Sequence, residues 1–160
     1  MKKLKLRFRY AKPSDLDFVV RGMNEVEFVI EKVKPTKKKA VERRKQAATA
    51  IKNRKITIAE DEAGERVGFA WLETSGKTPF GVNYGKWNNE YAWVSWSFVG
   101  ARWRGKGVGR ALYAALEKIA RKRGIREIML DVFEVNTKSK KFHAKLGFKP
   151  LLTIYSKKLL

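Results

Sequence analysis

The chain has 160 residues and 44% of them are hydrophobic, which is enough for one buried core, so we expect residues 1–160 to form a single domain. It contains no cysteine, which excludes disulfides, a thiol nucleophile and a zinc–thiolate site. No run of about 18 apolar residues is present that could cross a membrane. After a basic start, Leu4 to Tyr10 alternates between apolar and basic residues, unlike the continuous apolar run of a signal peptide, and we expect a cytoplasmic protein.

The net charge of +21 is the most unusual bulk property, because such a field attracts polyanions. Between residues 32 and 55, which we call the basic segment, eleven lysines and arginines face one acid, Glu42. The segment is either a solvated helix face or a surface for an acidic protein, a nucleic acid or a ribosome. The charged fraction of 33% and the near absence of glutamine favour a thermophilic protein.

The first half of the chain predicts one strand, two helices and a hairpin. Leu4 to Tyr10 alternates as a half-exposed strand does, and a helix follows from Pro13 to about Lys32. Residues 36–53 predict a second helix. Two strands then flank a turn at residues 61–64 and predict a hairpin, with bounds Lys55 to Glu60 and Arg66 to Glu73.

The second half begins with a long loop, Thr74 to Asn89, in which we expect Trp87 to contact a substrate. The other four tryptophans are expected mainly in the core. The elements predicted after the loop are a strand from Tyr91 to Val99, a helix at 108–123, a strand at 125–133, a short helix at 137–146 and a final strand or pair of strands around 148–158.

A glycine-rich turn, residues 102–110, lies between the strand ending at Val99 and the next helix. Glycines let the backbone approach a ligand closely, and the amides of a first helical turn attract anions. Three cations, Arg104, Lys106 and Arg110, add full positive charge. The turn therefore predicts a site for a phosphate-bearing ligand.

Three phosphate motifs compete for this turn. The dinucleotide pattern G-x-G-x-x-G requires a glycine at position 110, where the chain has Arg110. An ATP-binding P-loop fits from Gly100 to Lys106 but then needs a hydroxyl residue, and Gly107 follows. The third pattern, [RQ]-x-x-G-x-[GA], is matched by Arg104, Gly107 and Gly109.

A second motif follows the next predicted strand and runs from Asn136 through His143 to Leu146-Gly147-Phe148. Together the two motifs resemble the GNAT superfamily of acyl-CoA-dependent N-acetyltransferases, over about Tyr91 to Phe148. One departure is His143, which stands where the family usually has a tyrosine. The resemblance implies an α/β (α+β) fold with a mixed, mostly antiparallel central sheet of about six or seven strands and helices on both faces.

The resemblance also implies acetyl-CoA as the acetyl donor, with no metal. In the family the backbone at the end of the fourth strand pairs with the pantetheine arm, and a backbone N–H near Phe98 or Val99 would receive the thioester carbonyl. Asn136 would contact the arm, cap the helix or do both. The expected coenzyme-binding residues are Ser97, Phe98, Val99, Arg104, Gly105, Lys106, Gly107, Val108, Gly109, Arg110, Asn136 and His143.

By its position, His143 is the expected proton donor to the leaving sulfur. One alternative is a surface histidine on a short basic helix. In another, Tyr155 or a water is the donor and His143 is a positioning group. Asp131 is the expected base, followed by Glu134 and then by Glu90 acting through a water; Asp131 could instead form a salt bridge. Direct attack in a ternary complex is implied, because no cysteine can carry the acyl group.

The acceptor class stays open between a protein N-terminus or lysine and a small amine held by the loop at 74–89. A polyamine fits the positive field only if acids line the mouth of the site, the candidates being Glu25, Glu27, Glu31 and Glu73. The alternative function is a nucleic-acid- or ribosome-binding module with residual or regulatory coenzyme A binding. A monomer or a homodimer is expected.

Overall fold

The computed structural model describes residues 4–74, 91–157 and 159, and these residues form five strands and four α-helices. The strands are β1 (Arg7–Tyr10), β2 (Ile56–Glu60), β3 (Arg66–Glu73), β4 (Tyr91–Val99) and β5 (Glu127–Leu130). The helices are α1 (Leu16–Glu31), α2 (Lys37–Lys52), α3 (Val108–Lys122) and α4 (Thr137–Lys145), with short 3-10 turns at Pro13–Asp15 and Ala101–Trp103.

The sheet has the strand order β1-β2-β3-β4-β5. The strands β1 to β4 pair with one another in antiparallel fashion, and β5 pairs with β4 in parallel. This confirms the mixed, mostly antiparallel sheet. The parallel pair needs a crossover connection, and α3 supplies it.

The expectation of six or seven strands is wrong for the described residues, which contain five. The missing elements belong to residues 148–157, which form neither helix nor strand. Apolar side chains that should cover a sheet are exposed there, with Ile154 at 63% and Tyr155 at 90%. A strand requires a hydrogen-bonded neighbour as well as an apolar pattern, and this segment has none in the described structure.

Two apolar cores lie on opposite faces of the sheet, as alternation along the strands requires. One contains Val19 and Met23 of α1 against Phe69 of β3. The other contains Leu112 and Leu116 of α3, together with Ala70, Leu72 and Val94 from the strands. The prediction of helices on both faces is therefore confirmed. None of the helices in the described ranges is long and apolar enough to span a bilayer.

Local signals place most element boundaries within two residues of the structure. Pro13 opens the first 3-10 turn, and Lys32, in a left-handed conformation, ends α1. Thr36 caps α2 by accepting a hydrogen bond from the Lys39 amide at 3.2 Å. The strand predicted at 125–133 is shorter and ends at Leu130. The predicted loop, with Trp87, and the candidate base Glu90 lie outside the described residues.

Candidate active site

The two central strands separate halfway along β4. The parallel ladder joins Tyr91 through Val94 to β5 and stops at Leu130. Beyond it, β4 runs on to Val99 and pairs only with β3. The register shifts at Ser95, so that Trp71 faces Trp96 and Leu72 faces Val94. The edge of residues 95–99 that faces away from β3 therefore borders a slot, which we call the β4 slot.

The glycine-rich turn closes one end of the β4 slot. Gly105 and Gly107 have φ angles of 74° and 86°, a conformation that side chains other than glycine rarely adopt. A Cβ built on either residue would have no atom within 4 Å, so this side of the turn is open. The first bond of α3 runs from the Ala111 amide to the Gly107 carbonyl at 3.0 Å. The preceding helical amides are left for a ligand.

Cations surround the turn, as predicted. The Arg104 Nε donates to the Val99 carbonyl at 2.9 Å and so ties the turn to the end of β4. The Lys106 ammonium lies 5.2 Å from the Trp103 ring centre, and Arg110 is exposed on the first turn of α3. The Trp103 indole N–H is the one buried side-chain polar atom without a partner in the described structure. Together, helix-end amides, positive charge and open space fit a phosphate group.

The α4 helix packs against this turn through the third glycine. A Cβ at Gly109 would lie 2.9 Å from Cζ of Phe142, so the ring occupies the space that a side chain would fill. Asn136 caps α4, and its Oδ1 accepts from the Ser139 amide at 3.2 Å. The capping role considered for Asn136 is thus present. The two sequence motifs meet because α3 and α4 are in contact at Gly109.

His143 is buried, with 7% of its surface exposed, which overturns the alternative of a surface histidine. Its Nδ1 lies 2.9 Å from the Ser139 carbonyl oxygen, and its Nε2 lies 2.8 Å from the Tyr113 hydroxyl. The rings of Phe142 and Phe148 make edge contacts with it at 5.1 Å and 5.6 Å. Burial lowers the pKa of His143, while the bond to Ser139 acts in the opposite direction.

The hydrogen bonds fix the protonation pattern of the ring. A carbonyl oxygen can only accept, so Nδ1 of His143 carries a proton that it donates to Ser139. In the neutral ring Nε2 is then an acceptor, and the Tyr113 hydroxyl donates to it. The same hydroxyl lies 3.3 Å from Oγ of Ser97 in the β4 slot. Tyr113 therefore connects α4 to the slot.

Tyr113 was missed in the sequence because it reads as one more apolar position of α3, beside Leu112 and Leu116. It is 2% exposed, and burial raises the pKa of its hydroxyl to about 12, against a smaller opposing effect of Ser97. A buried tyrosine hydroxyl requires a hydrogen-bond partner. That requirement was the available signal, although it does not say which residue the partner is.

The carboxylates proposed as bases have different surroundings. Asp131 directly follows β5 at the β4 slot, and it forms no ion pair within the described part of the chain. Partial desolvation raises the pKa of Asp131, with a smaller opposing effect of a backbone hydrogen bond. Glu134 pairs with Lys140, and its side chain is 88% exposed. Asp131 is thus better placed than Glu134 to take a proton.

A cavity of about 470 Å³ lies on the opposite face of the sheet, between α2 and the strands. Its wall includes Ser95 and Trp96, at the point where β4 leaves β5. The Glu73 carboxylate also lines it, accepting from the Trp71 indole at 2.8 Å and pairing with the Lys55 ammonium at 2.6 Å. The Glu73 carboxylate is therefore held next to the β4 slot by the Trp71 indole and the Lys55 ammonium.

The other acids considered for the mouth of the site are committed elsewhere. Glu27 is buried and pairs with Arg43 and with Lys39, both at 2.6 Å. Glu31 pairs with Lys39 at 3.1 Å. Glu25 lies 3.9 Å from the Arg104 guanidinium of the glycine-rich turn, and both residues line a separate cavity of about 430 Å³ beside α1. Of the four acids, only Glu73 lines the cavity at Ser95 and Trp96 in the described structure.

Several cations of the basic segment are neutralised within the fold. Ion pairs engage four of its eleven lysines and arginines with acids of α1 and β3, namely Lys39, Arg43, Arg44 and Lys55. The Arg54 guanidinium lies 4.5 Å from the Tyr10 ring centre. These contacts indicate that part of the segment's charge serves internal packing.

Comparisons with known proteins agree with this geometry. A model of the acetyltransferase (GNAT) family matches residues 25–148. The uncharacterized N-acetyltransferase YycN of Bacillus subtilis strain 168 is 40% identical over 57 residues, which are 36% of this chain and 36% of that protein. A mutant of the BH1408 protein from Bacillus halodurans has the same fold, with a TM-score of 0.80 at 21% identity over 96% of this chain and 99% of that one.

A further solved structure has a coenzyme bound. The aminoglycoside N-acetyltransferase AAC(6')-Iy in complex with CoA has a TM-score of 0.72 at 20% identity, over 97% of this chain and 95% of that one. At such identities the likeness concerns the fold alone.

Proposed function

The chain belongs to the acetyltransferase (GNAT) family, and on that premise we propose that it transfers an acetyl group from acetyl-CoA to a primary amine by direct attack in a ternary complex. The observation that carries the proposal is the β4 slot, which runs from the glycine-rich turn to Ser95 and Trp96. The slot joins the anion site at the glycine-rich turn to the cavity at Ser95 and Trp96, which lies on the other face of the sheet.

The glycine-rich turn would hold the pyrophosphate of the coenzyme. The open side of Gly105 and Gly107 supports this, as do the amides from Val108 to Arg110 at the start of α3. Arg104 and Lys106 supply charge beside these amides. When bound, acetyl-CoA supplies an activated acyl thioester.

The unpaired edge of β4 would hold the pantetheine arm. The Gly100 amide donates to the Val67 carbonyl at 2.9 Å, so the backbone groups of alternate residues, Phe98 and Gly100, face β3. Those of Ser97 and Val99 face the slot, which leaves their amides for the arm. Of the two residues expected to bind the thioester carbonyl, Val99 has its N–H on this edge, whereas the Phe98 N–H faces β3. The Val99 N–H would stabilise the negative charge that develops on the carbonyl oxygen. Asn136 would border the arm from α4, whereas His143, also expected there, is buried behind Tyr113.

Asp131 acts as the base that takes the proton of the attacking amine. Its position after β5 and its raised pKa support this role, because a base works best with a pKa close to the working pH. Glu134 is second, since its carboxylate is already paired with Lys140. His143 has the acid role, as the source of the proton for the leaving sulfur.

The acceptor amine enters from the cavity at Ser95 and Trp96. Glu73 attracts its ammonium form, and Trp71 and Trp96 give apolar walls. The cavity also contains Lys45, and Lys55 is paired with Glu73, so the Lys45 ammonium is the positive charge that the amine meets there. This arrangement suits a protein N-terminus or lysine followed by acidic groups, or a small amine that carries an anionic group, better than a polyamine.

A polyanion-binding module is the second candidate, and the net charge of +21 is the observation that favours it. The phosphates of one coenzyme need only a few cations. The ion pairs within the basic segment weaken this candidate, because they reduce the charge that a nucleic acid or ribosome would meet.

Calorimetry with acetyl-CoA at two salt concentrations, followed by a thiol-release assay with a panel of peptides and amines, tests the proposed function. We expect micromolar binding that weakens with salt, and thiol release with at least one acceptor. Absence of acetyl-CoA binding at both salt concentrations would remove the basis for the proposal.

The variant Gly107→Leu should abolish acetyl-CoA binding, because its side chain would fill the open side of the turn at a positive φ. Gly64→Leu is the matched control, since Gly64 has a φ of 81° and an equally open Cβ position in the hairpin turn. Both variants carry a backbone strain of about 1–2 kcal/mol, and only the first lies at the slot. Equal binding by the two variants would place the coenzyme elsewhere.

A further inference from the structure

We propose that Tyr113 is a positioning residue that relays a proton from His143 to Ser97, and that Ser97 passes a proton to the sulfur leaving from acetyl-CoA. The inference rests on the proposed acetyl transfer and adds to it a residue on α3. It rests on a continuous line of hydrogen bonds from Ser139 to the β4 slot.

Burial prevents His143 from acting on the slot directly. One ring nitrogen is bonded to Ser139 and the other to Tyr113. Phe142 and Phe148 contact the ring, while Tyr113 also makes an edge contact at 5.2 Å. A proton can therefore leave Nε2 only through the Tyr113 hydroxyl.

Ser97 provides the other end of the relay. It lies on β4 beyond the last residue that pairs with β5, and it is partly exposed. Its Oγ is 3.3 Å from the Tyr113 oxygen. Ser97 is therefore the member of the line that a bound thioester would meet.

The Tyr113 hydroxyl has one proton and two hydrogen-bonding neighbours, His143 and Ser97. The charge of the His143 ring decides to which of them the hydroxyl donates. With a neutral His143, the hydroxyl donates to Nε2 and accepts from Ser97. With an imidazolium, Nε2–H donates to Tyr113, and Tyr113 donates to Ser97. Both hydrogen bonds are then donated in the direction of the slot.

The transfer balances as follows. The amine nitrogen forms a bond to the carbonyl carbon and gives one proton to Asp131. The carbon–sulfur bond breaks, and its electron pair stays on sulfur. Ser97 gives its proton to that sulfur and takes one from Tyr113, which takes the Nε2 proton of His143. The ring ends neutral, and water returns its proton by the same line once the slot opens.

The charge state of His143 sets the direction of the pH dependence. Among the described residues, the groups that face it are the Tyr113 hydroxyl from α3, Ser139 and Phe142 of its own helix, and Phe148, and none of the charged side chains there contributes to its pKa shift. Burial lowers the pKa of His143. The donor form is therefore present at low pH and is lost as the pH rises through that lowered pKa.

The kinetic test compares Tyr113→Phe with wild type between pH 5 and pH 9, using the acceptor that gives the fastest thiol release. We expect kcat to fall about a hundredfold near neutral pH, with KM for acetyl-CoA changed little and the pH dependence assigned to His143 absent. Tyr10→Phe is the matched control, because it removes the same oxygen from β1 at the far edge of the sheet.

The spectroscopic test uses nitrogen NMR of the ring, which is unambiguous because His143 is the only histidine. We expect a proton on Nδ1 in the wild type, and a shift of the Nε2 signal in Tyr113→Phe that Tyr10→Phe does not show. A proton on Nε2 in the neutral wild-type ring would overturn the relay without any assay of turnover.

Further variants separate the relay from the acetyl transfer itself. Ser97→Ala keeps the backbone of β4 and should lose the pH dependence of kcat that is assigned to His143. It replaces Tyr113→Phe if that variant does not fold. Tyr113→Phe combined with His143→Ala should be no slower than either single variant. Normal thiol release with an unchanged pH profile in Tyr113→Phe would overturn the relay alone. Absence of acetyl-CoA binding by the wild type would overturn both proposals.

Discussion

At the scale of single residues, Asp15 shows how strongly one charge can depend on its partners. It is fully buried just before α1, and it accepts hydrogen bonds from Arg9 at 2.6 Å, from the Lys12 amide at 2.7 Å and from Arg66 at 2.5 Å. Burial acts to raise the pKa of Asp15, but these bonds together outweigh it and lower the pKa to about 2. Three segments are therefore held together by one carboxylate.

Replacing Asp15 with asparagine should lower the free energy of unfolding by about 3 kcal/mol, because two arginines lose a buried partner. Urea denaturation measures this. Asp17→Asn is the control, since the Asp17 side chain is 83% exposed and its pair with Arg44 should contribute less than about 1 kcal/mol. Similar losses in the two variants would contradict the special role of Asp15.

Acid should weaken the fold through the same residue. The pKa of Asp15 is lower in the folded chain than its ordinary value of 3.8, so its contribution is complete above pH 4 and disappears as the pH falls towards 2. The contribution amounts to about 2 kcal/mol. Asp15→Asn should lose less stability than wild type over this range, as urea midpoints at several pH values would show; equal losses would assign the acid sensitivity elsewhere.

At the scale of elements, α1 packs closely against the central strands that carry the β4 slot. Gly22 lets the helix approach closely, since a Cβ there would lie 2.6 Å from Phe69 and 2.7 Å from Phe98. Phe98 lies between Ser97 and Val99, whose backbone groups face the slot. The helix that supports β4 is thus coupled to the coenzyme site through one aromatic ring.

Gly22→Ala should destabilise the protein by about 1–3 kcal/mol, because overpacking outweighs the helix propensity that alanine gains. It should also weaken acetyl-CoA binding by displacing Phe98. Thermal unfolding and calorimetry measure the two effects. Gly100→Ala is the stability control, as its Cβ would have no neighbour closer than 3.5 Å. Unchanged stability in Gly22→Ala would show that the rings move aside without cost.

At the scale of the whole molecule, the positive charge is large but unevenly available. The pairs of Lys39, Arg43, Arg44 and Lys55 hold α2 against α1 and β3. The exposed lysines at the start of α2, Lys37 and Lys38, belong to the basic segment, and other exposed cations lie on α3. A general field is therefore a simpler account of polyanion attraction than a single docking face.

Two charge-reversal variants distinguish a general field from a docking face. Lys37→Glu with Lys38→Glu, and Lys118→Glu with Lys122→Glu on α3, carry the same net charge. We expect both to weaken binding of single-stranded RNA equally, with a linear dependence of log affinity on log salt. Fluorescence anisotropy measures this. A loss confined to the α2 variant would identify the basic segment as a specific interface.

The sequence by itself determined the elements whose signals are local. Alternation predicted the first strand, and the turn at residues 61–64 located the hairpin strands β2 and β3. The prolines and Thr36 bounded α1 and α2, and the spacing of Gly105, Gly107 and Gly109 located the turn before α3. These predictions hold because side-chain direction repeats every 2 or 3.6 residues whatever the rest of the chain does.

Only the tertiary structure decided how distant polar groups meet. It ended β5 at Leu130, left residues 148–157 without a strand partner, and placed Glu73 beside the slot. It also buried His143 against Tyr113, thirty residues away in the chain. Periodicity shows which face of a helix is buried but not which helix lies opposite, so the hydrogen-bonding partners of these two side chains follow from the packing of α3 against α4.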